Sequence, residues 1–125
     1  MPPPTRGRVN SRRKGADFEL YVAAKLRAVW PGARRGLGQA RGGAEAADVD
    51  GVPYWVQTKH GKRPNIAEAM HQAARDAAAA HDDRPPVAIT RANGADVLVT
   101  MTLTDWRNLA AVFESQRAVN ARAAA

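Results

Sequence analysis

The chain has 125 residues, a formal net charge of +7 and no cysteine. That length predicts one domain, and the missing thiols exclude disulfides and a cysteine-bound metal. No apolar run approaches the ~20 residues of a membrane span. The start, Met1-Pro2-Pro3-Pro4-Thr5-Arg6, lacks the apolar segment of a signal peptide, so a cytoplasmic protein without membrane contact is expected. The charge is one-sided: residues 1–63 hold 13 Lys/Arg against 5 Asp/Glu, and residues 64–125 hold 6 against 7. A polyanion is the natural partner of such a basic half.

Residues 1–13 are rich in Pro, Arg and Gly and carry no apolar period, which predicts a flexible basic arm. Arg12 and Arg13 end it, and Lys14 follows directly. Two readings stand for the arm, a strip along a phosphate backbone or a solubilising tail. Residues 15–29 read as a helix, with Phe18, Val22, Leu26 and Val29 on one stripe and Pro31-Gly32 as the stop. Glu19 lies beside that stripe, where an acid near a helix start is stabilised by the macrodipole. Residues 33–44 begin as a short strand and become a glycine-rich basic loop. Arg34, Arg35 and Arg41 there are suited to charge-assisted phosphate contacts.

Asp48-Val49-Asp50 and Tyr54-Trp55-Val56-Gln57-Thr58-Lys59 read as two strands around a Gly51/Pro53 turn. Alternation puts Gln57 and Lys59 on one face. A carboxylate, an amide oxygen and an ammonium brought together in this way suit divalent-metal hydrolysis of phosphate esters. His60 falls on the opposite face, and His71 and His81 lack the spacing of a metal pair. Lys62 and Arg63 follow the motif and extend its basic character.

Residues 65–81 read as a second helix, capped by Asn65 with Glu68 three residues on, and with Ile66, Met70, Ala73 and Ala77 as its buried stripe. Gln72 reads as a surface amide, with contact to a substrate as the lesser alternative. Residues 87–91 and 96–102 are predicted strands joined through Asn93-Gly94. Thr104 is the expected cap of a last helix bearing Trp106, Leu109 and Phe113, which suit a core or a dimer surface. Domain bounds of 14–119 follow, with residues 120–125 as a frayed tail.

With these motifs in order, Lys14-Gly15-Ala16-Asp17-Phe18-Glu19, then Asp48, then Gln57-Thr58-Lys59, the chain resembles the PD-(D/E)XK nuclease superfamily. Within it the likeness is to the small Holliday-junction resolvase-like nucleases of archaea and phages, over roughly residues 11–110. The resemblance implies a restriction-endonuclease-like α/β fold, αβββαββα, with a central mixed sheet flanked by helices. It implies a Mg²⁺-dependent endonuclease, with Mn²⁺ as a possible substitute, acting as a homodimer on branched or structured DNA and suited to a phage-encoded origin. Asp48 would be the primary metal ligand, joined by the Gln57 amide oxygen and the Thr58 carbonyl. Glu19 would act through water or on a second metal, and Lys59 would orient the attacking water. Arg12, Arg13, Lys14, Arg34, Arg35, Arg41, Lys62 and Arg63 would hold DNA.

Gln57 stands where the family usually has Glu, which removes one negative charge from the metal shell. Glu45 and Asp50 are the nearby acids able to compensate, and Asp50 shares a strand face with Asp48. The rival reading is a catalytically degenerate DNA-binding module on the same fold. A weaker third reading, an RNA-binding accessory protein, is disfavoured by the few aromatics available for base stacking.

Overall fold

A computed structural model describes residues 6–36 and 46–125, with side chains described from residue 12 onward in those ranges. The chain runs α1 (Arg6–Leu26), β1 (Arg34–Arg35), β2 (Val49–Asp50), β3 (Trp55–Gly61), α2 (Ile66–Ala79), β4 (Pro86–Ala92), β5 (Leu98–Thr100) and α3 (Leu103–Ala123). The class is α/β, and the expected element order is observed. The five strands lie side by side in chain order. Neighbours are antiparallel except β3 and β4, which are parallel. A parallel pair needs a crossover, and α2 supplies it across one face of the sheet.

Both faces of the central strands are covered. Val56, Val87 and Ile89 face α1 and pack with Phe18, Val22 and Ala23. Trp55 faces α2 and packs with Ala73 and Ala77. Burial on both faces explains why Trp55–Thr58 and Val87–Thr90 read as continuous runs rather than alternations.

Several boundaries differ from the sequence expectation. Helix α1 starts at Arg6, so residues 6–13 continue the helix instead of forming an arm. The prolines end at Pro4, and residues 6–13, four of them Arg and none Pro, extend a helix already anchored by its packed half. At the other end α1 stops at Leu26, and Val29 is exposed rather than part of the stripe. Helix α2 is capped as predicted, with Asn65 Oδ1 accepting from Glu68 N at 3.0 Å. Its buried stripe is Ala69, Ala73 and Ala77, not Ile66 and Met70. Small residues at spacings of four let the helix sit close to Ala88, which is fully buried.

Strand β5 is shorter than predicted, and the cap of α3 is Thr102, whose hydroxyl accepts from Asp105 N at 3.1 Å, rather than Thr104. The helix runs on to Ala123, so the segment expected to fray is mostly helical. Trp106, Leu109 and Phe113 are exposed and do not belong to the core of this chain. No helix of the described residues is long and apolar enough to cross a membrane.

Arg84 ties the hairpin to the segment before β4. It pairs with Asp82 at 2.8 Å, reaches the Val52 carbonyl at 3.4 Å and lies 5.4 Å from the centre of the Trp55 ring. Hydrogen bonds from the Arg84 side chain and backbone hold the Asp82 carboxyl below its usual 3.8. The folded state thus binds this proton less readily than the unfolded chain. The stabilisation is complete above pH ~4 and is lost as pH falls through the lowered folded value. Asp82→Asn should therefore flatten the fall in Tm between pH 5 and pH 2, measured against the wild-type chain.

Candidate active site

The candidate site is built where β2 parts from β3. Val49 pairs with Val56, and the chain just before it leaves the sheet. Asp48 is placed there by its backbone: its N–H donates to the Val56 carbonyl at 2.8 Å, and its carbonyl accepts from Gly36 N at 2.8 Å. Its carboxylate then takes the place of the missing strand. Asp48 Oδ2 accepts from the Thr58 N–H at 2.8 Å and from the Thr58 hydroxyl at 3.2 Å. Asp48 is only 4% exposed, and these donors offset part of the cost of burying a charge.

That bond fixes the orientation of Thr58. The N–H and C=O of one strand residue point to the same edge. The N–H of Trp55 turns toward β4, donating to the Pro85 carbonyl, so by alternation Val56 and Thr58 turn toward β2. The Thr58 carbonyl thus faces the edge that Asp48 occupies. Gln57 and Lys59 share the α2 side of the sheet with Trp55. Gln57 is buried and Lys59 is exposed. On α2 the Glu68 carboxyl is held below its usual value first by the hydrogen bond from Arg75 and by that residue's charge, and least by the charges of His71 and Lys59.

Other expected members are placed elsewhere. Glu19 is ion-paired to Arg35, which draws α1 onto β1. Asp50 is in register with Arg34, and its charge acts on Arg84, at the end of β3 away from Lys59. Glu45 and Arg41 lie outside the described residues. Among the described residues no three His, Cys, Asp or Glu side chains gather into a group able to hold a metal. The candidate oxygens are the Asp48 carboxylate, the Thr58 carbonyl facing its edge and the amide of buried Gln57 on the α2 side of β3. All are hard donors of the type Mg²⁺ takes, and Mg²⁺ commonly binds through one or two carboxylates plus substrate phosphates. The donor set fits such an ion in kind, with little charge of its own.

Basic groups collect at the carboxyl end of the parallel pair. The register sets His60 beside Arg91, and Lys62 and Arg63 are exposed just beyond β3. Lys14 bonds Asn93 in the β4–β5 turn. A cavity of about 310 Å³ is lined by Lys14, Asp17, Phe18, Tyr21, His60 and Arg91. As expected, His60 turns away from Lys59, and its ring lies 5.0 Å from that of Phe18. Burial, then the charges of Lys14 and Arg91, lower its affinity for a proton. Arg12 and Arg13 are exposed on α1, and Arg34 and Arg35 are exposed on β1. Arg91 carries no motif in the sequence; only the non-local pairing of β3 with β4 brings it here.

Comparison with protein-family models, curated proteins and solved structures gives no match.

Proposed function

We propose that the chain is a metal-dependent endodeoxyribonuclease of restriction-endonuclease-like fold, hydrolysing phosphodiester bonds in branched or structured DNA as a homodimer. The observation that carries this reading is the Asp48 carboxylate fastened to Thr58, with Gln57 and Lys59 flanking Thr58 on β3. Ligands of α/β sheets commonly lie at the carboxyl ends of parallel strands, and Lys59, His60, Lys62, Arg63 and Arg91 lie at that end.

Asp48, Gln57 and the Thr58 carbonyl are the groups that would hold Mg²⁺ or Mn²⁺. Such an ion supplies charge neutralisation on the phosphate and a more acidic water. The chain's own part is positional. Thr58 fixes the rotamer of Asp48 through two hydrogen bonds. Lys59, exposed beside them, orients the attacking water and meets charge developing on the phosphoryl oxygens. Lys62 and Arg63, just beyond Lys59, hold the backbone, contacts that make affinity fall steeply with salt. With one carboxylate in the set, an ion held there would draw its remaining negative charge from the substrate phosphate, so metal and DNA should bind cooperatively.

The second reading, a DNA-holding module without catalysis, is favoured by the neutral Gln57 and by the engagement of Glu19 with Arg35. Cleavage of a labelled four-way junction beside matched duplex, in Mg²⁺, Mn²⁺ and EDTA, separates the two. Metal-dependent cutting is expected. Salt-sensitive binding with no cutting in either metal would leave the binding module.

A further inference from the structure

Helix α3 spans Leu103–Ala123 and has no buried residue. Leu103, Trp106, Leu109 and Phe113 recur at spacings of three and four and are 77%, 57%, 45% and 61% exposed. A solvent-bathed helix of this kind draws little support from propensity alone, since most helical stability in proteins comes from packing an apolar face. Beside it lies an apolar groove of about 290 Å³ on the open part of the α1 face of the sheet. Leu26, Trp30, Tyr54, Val99 and Met101 line it, together with Leu109 of α3 itself, and no charged residue does.

We infer that a second copy of this chain covers both features, each protomer seating the Leu103–Phe113 ridge of its α3 in the groove of the other. The ridge and the groove adjoin through Leu109, so one chain carries a convex and a concave apolar surface side by side. A two-fold axis satisfies both at once, as an isologous interface requires. The sizes agree. Four side chains this exposed present on the order of 550 Å², and Val99 with the groove walls brings the band near the ~800 Å² per partner of a standard interface. Such a band exceeds the usual largest apolar patch of a monomer, roughly 300–600 Å². Charge does not oppose the pairing: α3 holds Arg107, Arg117 and Arg122 against Asp105 and Glu114, while most of the chain's excess positive charge lies in residues 1–63. The inference rests on α3 and the groove, and not on any nuclease activity.

Sedimentation equilibrium of the full chain, without DNA or metal, tests it. A mass twice the 13.4 kDa of one chain is expected at micromolar concentration, and Trp106→Asp with Phe113→Asp should shift it to one chain. A wild-type monomer at 100 μM would overturn the inference. Because that double variant can also unfold, a second measurement uses the absence of native cysteine. A chain carrying Trp106→Cys is mixed with one carrying Tyr54→Cys under mild oxidation. A mixed disulfide-linked pair supports the seating. A dimeric mass without that cross-link places the contact elsewhere and rejects it.

Discussion

Asp48→Asn is expected to lower metal-dependent cleavage by about 10²–10³-fold, the size of effect seen when one preorganised electrostatic group is removed from an active site. The asparagine oxygen still accepts from the Thr58 N–H, so the fold and the hairpin should persist. The buried carboxylate charge alone is lost. Affinity for DNA should hold steady or rise slightly, because one negative charge near the phosphate is gone. Asp48→Ala differs in kind. It also leaves the Thr58 N–H and hydroxyl, in a residue only 8% exposed, without their acceptor, at about 1–3 kcal/mol. Thermal unfolding followed with single-turnover cleavage distinguishes these losses. Asp48→Asn cutting within a few-fold of wild type would remove Asp48 from the site.

The second large effect is structural. Gly51→Ala should destabilise the protein by about 2–5 kcal/mol, combining left-handed backbone strain of about 1–2 kcal/mol with overpacking of about 1–3 kcal/mol. Gly51 has φ +80°, and a Cβ there would drive into the Gly32 carbonyl. This turn sets the register of β2 on β3, and hence the position of Asp48 beside Thr58. A domain of this size has only about 5–15 kcal/mol of total stability. Urea unfolding should show a lower midpoint with an unchanged slope. Gly36 is under similar constraint without positive φ: a Cβ would strike the Ala47 carbonyl, just before Asp48.

The hairpin and the two packed helices were legible because their signals are local. Asn65 caps where expected, Gly51 turns where expected, and Gln57 and Lys59 share a face because strands alternate. What depended on distant partners was not legible. Arg91 joins the basic cluster only through the parallel pairing of β3 with β4. Glu19 reads as a helix-start acid or outer ligand, yet Arg35, sixteen residues on, engages it. The buried stripe of α2 runs through Ala69 rather than Ile66 and Met70, because close approach to Ala88 favours small residues over large ones. The sequence of α3 carries apolar spacing but cannot say whether its own sheet or another chain covers it. The resemblance implies Asp48 beside the Thr58 carbonyl; its bond to the Thr58 N–H comes from the backbone, which ends β2 one residue short of Asp48.

The most direct measurement is the single-turnover rate of Lys59→Ala on saturating four-way junction DNA in Mg²⁺, set against its equilibrium affinity in Ca²⁺. The account predicts a rate at least about 100-fold below wild type, within the span attributed to a positioned catalytic side chain, with affinity changed only by the loss of one phosphate contact. Gln57→Glu in the same assay should cut as well as wild type or at lower Mg²⁺. An affinity loss without a rate loss in Lys59→Ala, or no cutting by wild type and Gln57→Glu alike, would contradict it.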